Sequence, residues 1–213
     1  MTPQNEILTL FQIAVAELFF SLPESDGFLI AGGAALAAQH LTNRPTQDLD
    51  LFTRAGRSTV TSARDAFENA VTRRGWSVGR IRDGDTFCRL LVSGEEDLLV
   101  DLALDSPPAL SPVGSVAGPT FAPEELAGRK LLALFGRAEA RDFADVFVLA
   151  HRYEFGTMLD HAVRIDPGLD RSVLAAMIGS LQRFEDDEIP IDGKLVAELR
   201  GFFRRHREEL DDS

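Results

Sequence analysis

The stretch that decides the fold is residues 28–52, FLIAGGAALAAQHLTNRPTQDLDLF. It begins with the apolar run FLIA and continues with Gly32 and Gly33, which predicts a buried strand followed by a tight turn into a helix. It ends with DLDLF, where acidic and apolar residues alternate with a period of two. Because successive side chains of a strand point to opposite faces, Asp48 and Asp50 are expected on the same face.

Two neighbouring carboxylates repel one another unless a cation lies between them, and Asp48 and Asp50 are expected about 7 Å apart at their bases. Mg²⁺ is held by one or two carboxylates together with substrate phosphates. Asp101 ends the apolar run LLV and is expected on a strand beside DLDLF. Three aspartates on two strands can hold two metal ions during an in-line phosphoryl displacement. The alternative is a solvated strand face, with Asp101 as an ordinary residue at a strand end.

The glycine pair offers a second functional feature. Gly32 and Gly33 open a predicted helix, whose first backbone N–H groups are suited to binding an anion such as a triphosphate. The alternative is that the pair only allows tight packing of the helix against the strand. A glycine pair at a strand–helix junction, followed by D-x-D on the next strand, favours the functional reading over either feature alone.

The composition indicates a globular chain with one large or two small domains. The 213 residues are 45% hydrophobic and 26% charged. No apolar run is long enough to span a membrane, so no membrane partner is expected. An amphipathic helix over residues 4–21, without a basic region, argues against a signal peptide. The single cysteine, Cys88, excludes an internal disulfide and fits a reducing cytoplasm.

The charge balance works against non-specific nucleic-acid binding but allows a local basic groove. The formal net charge is −12 at pH 7. Residues 72–82 and Arg89 could form such a groove, with Trp76 as a surface for stacking a base. A solvated helix end and hairpin is the alternative. The four histidines show no ligand spacing, and none is assigned to a metal.

The remaining pattern predicts an α+β chain in which a mixed sheet flanked by helices precedes an all-helical region. Further predicted elements of the first part are a helix over 58–75 and strands within 76–82, 86–94 and 97–104. The predicted helices of the second part cover 123–136, 140–153, about 169–183 and 192–210. The predicted divisions are an α/β domain 1–106, a proline-rich linker 107–122 with room for one short strand, and a helical domain 123–213.

The glycine pair, the D-x-D strand and the later aspartate together resemble the nucleotidyltransferase superfamily with the DNA polymerase β-like fold. More narrowly, GGAALAAQHLTNRPTQDLDLF is similar to the block GG-x-AL…R-x-T/S-x-D-[IL]-DLF of the AbiEii/AbiGii toxin nucleotidyltransferases, which include MenT-type toxins. RKLLALFGRAEARDFADVFVL is similar to that family's K-L-x-AL motif and its R-D-x-x-D helix, through Lys130, Arg141, Asp142 and Asp145. The resemblance covers residues 28–150. Many superfamily members carry Ser after the first glycine, and this chain does not.

The resemblance implies a Mg²⁺-dependent transfer of a nucleoside monophosphate from an NTP to an acceptor, with release of pyrophosphate. In MenT-type members the acceptor is a tRNA 3′ end. On this reading Asp48, Asp50 and Asp101 bind the metal and are catalytic, and Asp101 also activates the acceptor hydroxyl. Lys130 binds the phosphates of the nucleotide as a point charge and is catalytic as well. A surface lysine on a helix is the alternative.

The other residues that the resemblance implicates are assigned to nucleotide binding or catalysis. Gly32, Gly33, Arg44, Thr46 and Asp145 are assigned to nucleotide binding, and Asp142 to catalysis. Arg44 either contacts the triphosphate or pairs with an aspartate, and Thr46 either contributes its hydroxyl or orders the turn. Asp142 and Asp145 lie on one helix face, where one could orient Lys130 or an arginine and the other could cap the packing.

The sequence therefore leads to a cytoplasmic toxin-type nucleotidyltransferase that acts on RNA, with tRNA as the expected acceptor and a cognate antitoxin as a partner. One alternative is a nucleotidyltransferase that modifies a small hydroxylated molecule such as an antibiotic. The other is a catalytically silent member of the fold that serves as a binding or regulatory module.

Overall fold

A computed structural model of the chain describes residues 7–211. The chain divides into two compact units, residues 1–122 and 123–213. No helix among the described residues combines the length and the hydropathy needed to cross a membrane. The helix predicted over 4–21 is observed as α1, Leu10–Phe20, and residues 4–6 of that prediction lie outside the described part.

The first unit contains a seven-stranded mixed sheet with the strand order β3-β4-β5-β2-β1-β7-β6. Two strand pairs are parallel, β2 with β5 and β1 with β7, and the other neighbours are antiparallel. This arrangement confirms the predicted α+β class. The strands are β1 Leu29–Ala31, β2 Asp48–Thr53, β3 Ser77–Arg82, β4 Phe87–Ser93, β5 Asp97–Leu104, β6 Val113–Ser115 and β7 Gly118–Thr120.

The segment predicted as the linker, residues 107–122, belongs to the sheet in the structure. It contributes β6 and β7, which form a short antiparallel hairpin beside β1. Proline is tolerated in short strands near a sheet edge, where few ladder hydrogen bonds are required, and Pro119 lies in β7. The structure accordingly divides the chain after Ala122.

Three α-helices accompany the sheet in the part of the first unit that the structure describes, and aromatic packing joins two of them. They are α1 Leu10–Phe20, α2 Gly32–Ala38 and α3 Val60–Arg73. Phe19 of α1 lies edge-to-face against Phe28 and against Phe67 of α3, with ring centroids 5.1 and 5.4 Å away. All three rings are almost completely buried, so they anchor both helices to the unit.

Within the described residues the second unit is all-helical, as predicted, and it contains one helix that was not predicted from the sequence. Its helices are α4 Pro123–Arg137, α5 Ala140–Leu149, α6 Phe155–Ile165, α7 Arg171–Gly179 and α8 Val196–Asp211. The omitted helix is α6, although its buried residues Phe155, Met158, Leu159 and Ala162 follow helical spacing. Gly128 of α4 allows close contact with α6, because a Cβ there would lie 2.9 Å from the backbone nitrogen of Ala162.

Candidate active site

The register of two parallel strands brings the three predicted aspartates to one face of the sheet. Asp50 of β2 lies directly opposite Asp101 of β5, and Asp48 lies opposite Leu99. Directly opposed residues share a face, as do residues two apart on a strand, so Asp48, Asp50 and Asp101 line the same side. Asp101 is buried, and the other two aspartates are half-buried. The expected adjacency of the two strands is therefore observed.

Gly32 lets the backbone at the start of α2 approach Asp50 closely. A Cβ at this position would lie 1.7 Å from Oδ2 of Asp50, far inside contact distance. The residue also has φ +60, in the left-handed region that side chains other than glycine avoid. Both the steric and the conformational restriction require glycine here. The predicted glycine turn thus lies directly against one of the predicted acidic residues.

Thr46 holds the carboxylate of Asp48. Its hydroxyl donates to Oδ1 of Asp48 over 2.9 Å. Thr46 also lies beside Gly33, where a Cβ would come within 2.8 Å of Oγ1. Arg44 reaches the same glycine, because the same Cβ would lie 3.6 Å from its Nη2. The structure therefore brings Gly33, Arg44 and Thr46 together beside Asp48.

Gln12 also supports this loop, and its role was not predicted from the sequence. Its Nε2 donates to the carbonyl oxygen of Thr46 over 2.9 Å, and its Oε1 accepts from the backbone nitrogen of Thr9 at 2.9 Å. The side chain is buried, although it is polar and lies on an apolar helix. A buried polar group requires partners, and Gln12 obtains them by joining the start of α1 to the loop that carries Thr46. Its position three residues after Thr9, in a capping box, was the available signal.

Arg89 binds both carboxylate oxygens of Asp101. Its Nε lies 2.7 Å from Oδ1 and its Nη2 lies 2.6 Å from Oδ2. The hydrogen bond to Asp101 raises the pKa of Arg89, and the charges of Asp101, Asp48 and Asp50 add to this rise. The arginine side chain is 40% exposed and the aspartate side chain 7% exposed, so the guanidinium reaches the carboxylate from the solvent side.

The three aspartates match a divalent cation in the type of their ligand atoms and in their position on one sheet face. Asp48, Asp50 and Asp101 supply oxygen ligands only, which Mg²⁺ prefers, from one face of two paired strands. Within residues 7–211 no three acidic, histidine or cysteine side chains are gathered as a complete metal site. In the structure Arg89 donates hydrogen bonds to both carboxylate oxygens of Asp101. The binding of a metal by Asp48, Asp50 and Asp101 stays a prediction.

The basic cluster predicted from residues 72–82 and Arg89 is divided, because several of its side chains are bound within the first unit. Arg80 binds Glu68 of α3 and Asp83 of the following turn, at 2.6 and 2.8 Å. Trp76 packs edge-to-face against Phe11 at 4.9 Å between ring centroids, with the guanidinium of Arg74 5.4 Å from its ring. These side chains thus have partners within the first unit.

In the second unit, Lys130 and Asp145 form a buried ion pair between α4 and α5. Nζ of Lys130 lies 2.7 Å from Oδ2 of Asp145, and the two side chains are 9% and 1% exposed. Of the two acidic residues predicted to orient a basic side chain, Asp145 is the one that contacts Lys130. Their roles in nucleotide binding stay predictions.

Asp142 lies on the same helix and binds a different basic residue. Its two carboxylate oxygens accept from Nε and Nη2 of Arg137 at 2.9 and 2.8 Å. One of them also accepts from the backbone nitrogen of Glu139 at 3.1 Å, so the carboxylate caps the first turn of α5. The side chain is fully buried. Arg141, the motif residue before it, pairs with Glu139 at 2.8 Å. The predicted catalytic role of Asp142 stays a prediction.

Two solved structures with TM-scores above 0.5 show the fold. The structure of JHP933 from Helicobacter pylori is similar with a TM-score of 0.56 and 19% identity over 96% of this chain and 95% of that one. A putative nucleotidyltransferase from H. pylori matches with a TM-score of 0.57 and 16% identity over 96% and 98% of the two chains. The nucleotidyltransferase toxin MenT4 from Mycobacterium tuberculosis matches with a TM-score of 0.46 and 15% identity over 96% and 98%.

Comparison of the sequence identifies the family. No curated protein matches the chain significantly. The family model described as the nucleotidyl transferase AbiEii toxin of type IV toxin–antitoxin systems matches residues 15–212, nearly the whole chain. The chain therefore belongs to the AbiEii family of toxin nucleotidyltransferases and is itself a nucleotidyltransferase.

Proposed function

We propose that this protein transfers a nucleoside monophosphate from an NTP to a hydroxyl of an RNA acceptor, with the 3′ end of a tRNA as the expected site, in a Mg²⁺-dependent reaction that releases pyrophosphate. Membership of the toxin family implies an NTP as a substrate and an antitoxin as a partner. The observation that carries the proposal is the register of Asp50 with Asp101, with Asp48 on the same face.

Asp48 and Asp50 are the proposed metal ligands, and bound Mg²⁺ would neutralise the phosphates of the nucleotide. Thr46 fixes the orientation of Asp48 through its hydrogen bond, and Gln12 in turn fixes the backbone of Thr46. Gly32 keeps a side chain away from Asp50. These contacts hold the two carboxylates in place before substrate arrives, which reduces the reorganisation that the reaction requires.

Asp101 has two proposed roles, as the third metal ligand and as the base for the acceptor hydroxyl. A base must lie within hydrogen-bond reach of the proton that it removes. In the structure both oxygens of Asp101 accept hydrogen bonds from Arg89, so this carboxylate acts only after Arg89 moves away. Removal of the acceptor proton makes the oxygen nucleophilic toward the α-phosphorus of the NTP, and pyrophosphate leaves.

Lys130 is the proposed phosphate-binding residue of the helical unit. Lys130 is one of the 22 lysine and arginine residues of the chain, and it is buried. A lysine ammonium is a compact point charge that suits phosphate, and Asp145 holds it in a fixed orientation. Gly33 and Arg44, next to Thr46, are the proposed contacts of the nucleotide in the first unit.

The test is incubation with each of the four α-³²P-labelled NTPs, total tRNA and Mg²⁺. We expect label in RNA with the native protein, no label after chelation of the metal, and a loss of at least about a hundredfold in Asp48→Asn. Asp97→Asn is the matched control, because Asp97 is an exposed aspartate at the start of the strand that carries Asp101. Equal labelling by native protein and Asp48→Asn would contradict the proposed site. Label found only in a hydroxylated small molecule would exclude RNA as the acceptor.

A further inference from the structure

An irregularity in β3 turns Arg82 toward the face that carries the aspartates. Arg80 lies opposite Leu90 of β4 and Arg82 lies opposite Arg89, with a register shift between the two pairs. Directly opposed residues share a face, so Arg80 faces the side of Leu90 and Arg82 faces the side of Arg89. In a regular strand two residues two positions apart would share one face. The irregularity therefore changes the direction of Arg82, which is a known effect of β-bulges.

The two arginines differ in their ionic surroundings. Arg80 is bound by acidic residues, including Glu68 of α3. Arg82 is exposed, and nothing in the described part of the chain forms a hydrogen bond or an ion pair with its side chain. Its guanidinium lies over the ring of Phe87, 5.2 Å from the centroid. The charge of Arg82 is thus available to a ligand, whereas that of Arg80 is neutralised within the unit.

Phe87 connects Arg82 to Arg89 on this face. The guanidinium of Arg89 lies 5.9 Å from the centroid of its ring, and the ring is only half-buried. Phe87 and Arg89 are two residues apart on β4, so both point to the face of Asp101, with which Arg89 pairs. We refer to Arg82, Phe87 and Arg89 as the RFR surface. It begins at the predicted catalytic base and extends toward the edge strand β3.

We propose that the RFR surface binds the single-stranded end of the RNA acceptor, with the two arginines on its phosphates and Phe87 against a base. The inference rests on the proposed function, and it deepens that function by giving the acceptor a binding site. Aromatic side chains beside positive charge are the general means of binding single-stranded RNA. The positive charge of Arg82 also disfavours a cationic acceptor such as an aminoglycoside, because it would repel it.

Arg89 has one role while it is paired with Asp101 and another when Asp101 takes part in the reaction. In the structure its guanidinium neutralises Asp101. When that carboxylate takes part in the reaction, the guanidinium becomes available for a phosphate of the acceptor, and Arg82 already provides a second positive charge nearby. Binding of the acceptor and release of Asp101 are therefore favoured together.

The test is the fluorescence anisotropy of a fluorescein-labelled single-stranded RNA of about ten nucleotides, which is within the usual size of such sites. The native protein is compared with Arg82→Gln and with Arg73→Gln, the matched control. Arg73 is exposed in the last turn of α3 and, within the described residues, has no ionic partner. We expect Arg82→Gln to bind several-fold more weakly. Its slope of log K against log salt should fall by about 0.7 for the lost phosphate contact. Phe87→Leu should weaken binding without a change in slope.

Equal affinity and equal salt slope for Arg82→Gln and Arg73→Gln would overturn the inference, as would the absence of RNA binding by the native protein. The proposed function fails in a different way. If the native protein binds RNA through Arg82 but transfers no nucleotide to it, the RFR surface stands and the proposed reaction does not. If nucleotide reaches RNA at the same KM in native protein and in Arg82→Gln, the reaction stands and the RFR surface does not.

Discussion

Arg89 and Asp101 form a two-point ion pair across neighbouring strands, with N–O distances of 2.7 and 2.6 Å. The same two residues are directly opposed in the β4–β5 register. Asp101 is in turn opposite Asp50 on its other side. One arginine therefore lies in the field of the whole acidic cluster, and it would compete with the proposed divalent cation for the carboxylate of Asp101.

This competition predicts that Arg89→Gln binds metal more tightly. Removal of a positive charge from the cluster should lower the Kd for Mn²⁺ about tenfold, which corresponds to ~1.4 kcal/mol. Electron paramagnetic resonance of free Mn²⁺ measures this in the absence of any reaction. Arg73→Gln serves as the control for a general change in net charge. An unchanged or higher Kd in Arg89→Gln would show that the ion pair does not oppose metal binding.

The contact between Gly32 and Asp50 predicts a selective loss in Gly32→Ala. Gly56 is the matched control, because it also has positive φ but would meet nothing within 4 Å if a Cβ were added. Both alanine variants carry the conformational penalty of about 1–2 kcal/mol, and only Gly32→Ala displaces Asp50. We expect nucleotide transfer to fall about a hundredfold in Gly32→Ala and to change little in Gly56→Ala. Similar activity in the two folded variants would show that the position of Asp50 is unimportant.

The hydrogen bond from Thr46 to Asp48 predicts that Thr46→Val is impaired and Thr46→Ser is not. Valine keeps the shape of threonine and removes the donor, whereas serine keeps the donor. A hydrogen bond to a charged group contributes about 1.5–3 kcal/mol, so kcat/KM should fall at least about tenfold in Thr46→Val. Steady-state kinetics for the NTP provide the measurement. If serine and valine impair the enzyme equally, Thr46 orders the turn by packing alone.

The sequence predicted the central part of the fold because its signals there are local. The alternation in DLDLF and the glycine pair before it specify elements that neighbouring residues form by themselves. The hairpin of β6 and β7 was predicted as a linker, because its strands are only three residues each and depend on β1 for partners. No periodic pattern can be recognised in strands so short.

The aspartates of the candidate site could also be predicted from local signals. Asp48 and Asp50 belong to the compact motif DLDLF. The apolar residues around this motif and before Asp101 predict two buried strands that lie side by side. Gln12 and the pairing of Arg89 with Asp101 depend on contacts between distant parts of the chain, since Gln12 and Thr46 are 34 positions apart. Spacing along one element does not encode such contacts. The position of Arg82 depends on a strand irregularity for which the sequence has no distinct signal.

The buried pair of Lys130 and Asp145 predicts different effects on stability and on activity. Lys130→Met leaves a buried carboxylate without its lysine partner, which should lower the free energy of unfolding by about 3–5 kcal/mol. The double variant Lys130→Met/Asp145→Leu removes both charges and should recover most of that loss. If Lys130 binds phosphates, the double variant stays inactive although it is stable. Urea denaturation measures the stability and nucleotide transfer to RNA measures the activity. Full activity of the double variant would exclude Lys130 from the reaction.

Cys88 provides a prediction about pH. Burial raises the pKa of this thiol from its ordinary value of 9.0 to about 11. The thiolate is therefore scarce in the folded protein at neutral pH, and reaction with a thiol reagent should require unfolding. Between pH 9 and 11 the unfolded chain loses the proton while the folded chain keeps it, so this residue lowers the free energy of unfolding as pH rises through that range. Cys88→Val keeps a similar volume and removes the ionisation. Urea denaturation at pH 8 and pH 10 should thus show a smaller loss of stability in Cys88→Val than in the native protein, and equal losses would contradict the raised pKa.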